Sequence, residues 1–119
     1  MIQPFDPGDD LVFQLESGYG LLRVLAVDLD DAGNQTWHLL AYEDLFPDVE
    51  SAELALVKAG QLPVRIAHMA LTNRAFERTP TARLGNRPVT ASEFAACQQW
   101  RESERKVSDR SALLMLGFR

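Results

Sequence analysis

The chain has 119 residues, of which 46% are hydrophobic, a single cysteine and a net charge of −5. That suits one domain with its own apolar core, and the solitary Cys97 excludes an internal disulfide. No apolar run is long enough to cross a membrane, and MIQPFDPGDD lacks the basic start and apolar core of a signal peptide, so a reducing, cytoplasmic setting is expected.

Pro4, Pro7 and Gly8 keep the first residues irregular. Leu11–Glu16 alternates, with Leu11, Phe13 and Leu15 on one face and Val12, Gln14 and Glu16 on the other, which predicts a half-buried strand. Gly18 and Gly20 suit a tight connection. Gly20–Asp30 is apolar at odd and even positions alike, through Leu21, Leu22, Val24, Leu25, Ala26, Val27 and Leu29. Successive side chains of a strand point to opposite faces, so this stretch needs cover on both sides and predicts the central strand. Asp30 to Asn34 is turn material. Gln35–Glu43 predicts a third strand, with Trp37, Leu39 and Ala41 on one face and Thr36, His38, Leu40 and Tyr42 on the other.

Asp48 can cap a helix over Val49–Ala59 that Gly60 would end. Leu62–Leu71 predicts a fourth strand and Thr81–Leu84 a short fifth. Thr90 followed by Glu93 is a capping box, which predicts a helix from Ala91 to about Lys106. At 100° per residue Ala96, Cys97, Trp100 and Val107 share one side of it, with Phe94 at the edge, and Glu102, Glu104, Arg105 and Lys106 form the wet side. The closing SALLMLGFR is apolar and is expected to dock as a strand or short helix. The predicted fold is α+β: a curved antiparallel sheet of four to five strands, with SH3-like barrel curvature as one form, packed by a C-terminal helix and a shorter central one.

Chemistry is sparsely signalled. His38, His68 and Cys97 each stand alone in their segments, so spacing announces no metal site and none is expected. A Cys97–histidine pair is the conceivable nucleophile, but a thiol on the apolar side of a helix ordinarily serves as a small hydrophobe. The neighbouring carboxylates Asp9-Asp10, Asp30-Asp31 and Glu43-Asp44 lie at strand ends and turns, where water reaches both members, whereas acid–base work needs two different environments. Asp28, Asp30, Asp31 and Asn34 lack the closing glutamate of a calcium loop, because that position is Leu39. No phosphate-cradling glycine loop precedes a helix. No catalytic residue and no cofactor are expected.

Charge is distributed unevenly. Residues 1–60 hold twelve acids against two bases, a balance of −10, and residues 61–119 hold five acids against ten bases, a balance of +5. The acidic half argues against nucleic acid as partner and suits a basic protein, unless the two halves simply neutralise each other. Tyr19 and Tyr42 are candidate anchors for such a contact, with the core as their alternative place.

Gly8-Asp9, Phe13, Leu15, Gly18-Tyr19-Gly20, Arg23-Val24-Leu25 and the apolar strand ending at Tyr42 together resemble the start of the bacterial toxin-immunity family catalogued as immunity protein twenty-six, over residues 8–43. The resemblance implies a small β-rich cytoplasmic domain that neutralises a toxin of a contact-dependent or polymorphic system, and occlusion of that toxin is the expected mechanism. The expected function is therefore a non-catalytic, toxin-immunity-like protein-binding domain. Its expected contact residues are Tyr19, Asp28, Asp30, Asp31, Tyr42, Glu43 and Asp44, facing a basic partner. The alternatives are a homodimeric structural or regulatory module joined through an exposed sheet edge, and a small Cys/His enzyme.

Overall fold

A computed structural model describes residues 4–104 and 106–117, with the backbone alone for Ala59. Five strands, β1 (Asp9–Leu15), β2 (Gly18–Leu29), β3 (Gln35–Tyr42), β4 (Val64–Thr72) and β5 (Thr81–Asn86), form one antiparallel sheet in the order β4-β3-β2-β1-β5. The leucine- and valine-dense segment is the middle strand, flanked on both sides as its two-faced apolar pattern requires. The sheet stays open, so the SH3-like barrel form is corrected: β4 and β5 end it as separate edges. β1 is buried more fully than its alternation suggests, because Val12 as well as Leu11 and Phe13 is covered.

The helices are α1 (Val49–Leu56), α2 (Asn73–Glu77), α3 (Ala91–Arg101) and α4 (Ala112–Met115), with one 3-10 turn at Ala59–Gln61. Asp48 caps α1 by accepting from the Ser51 amide, and Thr90 and Glu93 close the capping box of α3. Two predicted ends are corrected. α1 stops at Leu56, leaving Gly60 in the 3-10 turn, and α3 stops at Arg101, so Val107 lies beyond the helix and is exposed. Arg105 and the last two residues of the closing stretch lie outside the described residues.

Each face of the sheet carries its own core. On one, Leu11, Leu22, Val24, Trp37, Leu39 and Met69 pack with Phe76 of α2 and with Ala112 and Leu116. On the other, Val12, Leu21, Leu25, Leu40 and Tyr42 pack with Ala52 of α1, and α3 crosses β2 and β4. Gly20 is demanded by a close approach: it pairs with Phe13, and a Cβ there would stand 2.3 Å from the phenyl ring.

A register shift in β2 positions the polar groups described next. Val24 pairs with Leu39 and Ala26 with His38, so the segment carries one extra residue. Before this bulge odd positions face α3, as Leu21 and Leu25 do; after it Val27 joins the opposite core. Asp28 therefore points to the α3 face.

Candidate functional site

α3 presents Glu93, Cys97, Trp100 and Arg101 at positions i, i+4, i+7 and i+8, which puts them on one stripe of an α-helix. That stripe lies over polar groups of the sheet at both of its ends.

At the N-terminal end lies Arg23, fully buried in the middle strand. Its Nε donates to Glu93 Oε2 at 2.7 Å and Nη1 donates to Asp10 Oδ1 at 3.2 Å and to the Gly8 carbonyl at 2.9 Å. Nη2 donates to the carbonyls of Arg87 and Pro88, both at 3.0 Å, and to Glu93 Oε1 at 3.2 Å. Arg87 in turn grips Asp10 through two bonds of 2.8 and 2.9 Å. Every nitrogen of the Arg23 guanidinium is matched, which is the condition for burying a charge without severe cost. Burial pushes the Glu93 carboxyl up, but the Thr90 amide and Arg23 prevail and hold it below its ordinary value. This network fastens the N-terminal segment, β5 and α3 to the sheet.

At the C-terminal end the groups are mostly neutral. His38 on β3 is fully buried and pairs across the ladder with Ala70; His68 lies two residues along β4, the diagonal neighbour on the same face. His38 Nδ1 is 2.8 Å from His68 Nε2, and the two rings stack with centroids 5.1 Å apart. His38 Nε2 donates to Asp28 Oδ2 at 2.9 Å, and Arg101 Nη2 donates to Asp28 Oδ1 at 2.6 Å. Trp100 meets the His38 ring in a T-shaped contact, with centroids 4.7 Å apart. Cys97 is fully buried, and one nitrogen from each histidine and its sulfur all lie within 4.8 Å of one another.

The electrostatics follow from this packing. Burial lowers the pKa of both imidazoles, His68 to about 4 with His38 beside it as a second cause, and burial raises the Cys97 thiol. Burial opposes ionisation of Asp28, but hydrogen bonds from Arg101 and His38 keep its carboxyl below the usual value. With Nε2–H given to Asp28, His38 turns the lone pair of Nδ1 toward His68. The arrangement offers two imidazole nitrogens and a sulfur as donors, with a carboxylate behind one of them.

The seven expected contact residues do not form one surface. Asp28, Asp30 and Asp31 lie at the β2–β3 turn, while Tyr19, Tyr42, Glu43 and Asp44 lie at the other end of β3, roughly 25 Å away along eight residues. Of the two places weighed for Tyr42, the core is the one it takes: it is 6% exposed, and Arg87 bonds its hydroxyl at 3.3 Å. Tyr19 is half-buried against the second core and bridges Phe46 through its backbone. Asp28 is committed to His38 and Arg101, and Asp30 accepts from the Ala32 and Asn34 amides to shape the turn. Glu43, Asp44 and Asp31 are exposed. Much of the charge asymmetry is spent internally, as Asp10 with Arg87, Asp9 with Arg83 and Asp28 with Arg101 pair the first half with the second.

Sequence reading missed Arg23 as a buried charge and Arg101 as the clamp on Asp28, and it left open whether His38, His68 and Cys97 meet. The i, i+4, i+7, i+8 stripe on α3 was a readable signal for Arg101, and the even-numbered face of β3 for His38. No helix among the described residues is long and apolar enough to cross a membrane. Comparison with protein-family models, with curated proteins and with solved structures finds no match.

Proposed function

We propose that this chain is a non-catalytic protein-binding domain that docks a basic partner through the outward stripe of α1 and the acidic loop before it. The observation that carries the reading is the placement of Leu54 and Val57, which are 68% and 79% exposed on a helix whose inward side is already served by Ala52. Glu50, Glu53, Leu54 and the C-cap Val57 recur at three- and four-residue spacing, so two apolar side chains stand beside two acids on one surface. Leu45, 39% exposed, and the exposed Glu43 and Asp44 extend it. Among the described residues Glu43, Asp44, Glu50 and Glu53 make no ion pair, whereas Asp9, Asp10, Asp28, Glu93 and Asp109 are matched by arginines, so the negative charge here is uncompensated. Apolar anchors within a charged rim suit a partner of opposite charge with an apolar groove.

The narrower form, a toxin-immunity inhibitor that occludes a basic toxin, is supported by the sequence resemblance over residues 8–43. The alternative, a homodimeric module, draws support from β5, an edge strand with β1 as its paired neighbour. A Leu54→Lys/Val57→Lys double variant tests the proposal. Partners are captured from the native host at low and high salt by wild type and variant, identified, and the pair is reconstituted from purified proteins. The expected result is a basic partner whose affinity falls with salt and drops at least about tenfold in the variant. A reconstituted partner held equally well by the variant overturns the docking surface. Sedimentation of the wild type alone across concentration tests the homodimer.

A further inference from the structure

We infer that His38, His68 and Cys97 form a binding site for a zinc-class divalent transition-metal ion, with Asp28 and Arg101 as the groups that orient its histidine. The case rests on where the donors come from and how they face. They stand on three elements, β3, β4 and α3, and are separated by 30 and 29 positions in sequence, yet one nitrogen from each ring and the sulfur lie within 4.8 Å of one another. Three lone-pair donors thus converge beneath α3 at a level where the surrounding positions of the same sheet face, Leu40 and Ala70, are apolar.

The orientation of His38 is that of a metal ligand. A ligating histidine ordinarily donates its second ring N–H to a carboxylate, which fixes the tautomer and raises the basicity of the ligating nitrogen. His38 does this: Nε2 donates to Asp28, Arg101 holds the far oxygen of that carboxylate, and Nδ1 is left pointing at His68. The T-shaped contact with Trp100 limits tilting of the ring. In the metal-free form the cluster is satisfied by His68 Nε2–H donating to His38 Nδ1. On loading, His68 moves its proton to Nδ1, Cys97 releases its thiol proton to solvent and binds as the thiolate, and the ion replaces the imidazole–imidazole hydrogen bond.

Donor chemistry selects the class of ion. Two imidazoles and a thiolate are borderline-soft and match zinc, whereas magnesium and calcium need oxygen shells. With Zn–N near 2.0 Å and Zn–S near 2.3 Å, a tetrahedral ion spaces its ligand atoms by roughly 3.3–3.6 Å. The two nitrogens must therefore part by about half an ångström and the sulfur draw in by about one, a side-chain adjustment. The three protein donors leave the fourth position to a solvent molecule. Once loaded, the ion cross-links α3 to β3 and β4.

The test uses the full chain, stripped with a chelator and dialysed against zinc, with metal content measured directly. One zinc per chain is expected, and cobalt in its place should give a thiolate-to-metal charge-transfer band with the intense visible bands of tetrahedral coordination. Cys97→Ser should abolish the charge-transfer band, and His68→Ala should weaken zinc binding at least about tenfold. A readout on the wild type alone covers the chance that a variant misfolds. Cys97 is labelled with a chromogenic thiol reagent with and without zinc, and zinc at about ten times its Kd should slow labelling about tenfold. Absence of zinc uptake, cobalt binding without a thiolate band, copper(I) binding in place of zinc, or labelling that ignores zinc would each overturn the assignment.

Discussion

The two polar clusters beneath α3 lie on one sheet face and under one helix, and they solve the burial of polar groups in opposite ways. The Arg23 cluster is made of charges, each nitrogen of the guanidinium having a carboxylate or a carbonyl as partner. The His38 cluster is made of neutral rings and a thiol, with its one ion pair, Asp28 and Arg101, at the margin. The first has no capacity left and can only hold the fold together. The second keeps donor atoms that a protein of this size does not need for stability, and it meets the sheet where α3 ends. Saturation marks the structural cluster and spare lone pairs the candidate site.

The widest separation between them should come from deleting the charge. Arg23→Ala leaves Asp10 and Glu93 without their buried partner and should cost about 3–5 kcal/mol, read by urea denaturation. A loss under about 1 kcal/mol would make the network a surface-like pair and erase the contrast. Zinc is the reciprocal test, since it should act at the other cluster alone. At about a hundred times its Kd it should stabilise the wild type by about 2.7 kcal/mol and leave Cys97→Ala unmoved.

Smaller effects sharpen the picture. Glu93 has a carboxyl held below its ordinary value, so its contribution is present above the unfolded-state pKa of 4.5 and is lost as pH falls through the folded value. Glu93→Gln should therefore destabilise at pH 7 by about 1–3 kcal/mol, with the gap from wild type closing toward pH 3 in thermal melts. A gap that widens in acid would reverse the sign of the pairing. Least costly should be His38→Leu in metal-free protein, at about 1 kcal/mol or less by the same melts, because Asp28 keeps Arg101 and apolar neighbours receive the new side chain. A cost matching that of Arg23→Ala would show that the histidine cluster is equally indispensable to the fold.

How far these clusters could be read in advance follows from the same physics. The middle strand was legible because seven apolar residues fall on both parities of Gly20–Asp30, and α3 was legible because Thr90 and Glu93 leave a local signature. The parity of β3 correctly placed His38 with Leu40 and Tyr42, opposite Trp37. Tyr42 could not be assigned to core or surface, since that depends on Ala52 and Arg87, more than nine positions away in sequence. Arg23 stood as a lone charge in an apolar strand, but its partners arrive from residues 8–10 and 87–93. The convergence of His38, His68 and Cys97 has no spacing at all, because each lies on a separate element and only tertiary packing of α3 brings the sulfur to the rings.

The extra residue in β2 reaches further than its own strand. Leu25 and Ala26 are both small or apolar enough to hide the offset from any pattern of hydrophobicity, yet the offset decides which layer receives every side chain from Val27 to the turn. Removing Leu25 would merge the two registers, so Asp28 would keep its place opposite Thr36 on the α3 face, and the loss would fall on the second core and on the extra twist that a bulge gives β2. The bulge is therefore a place where β2 can lose a residue without moving the carboxylate that orients His38.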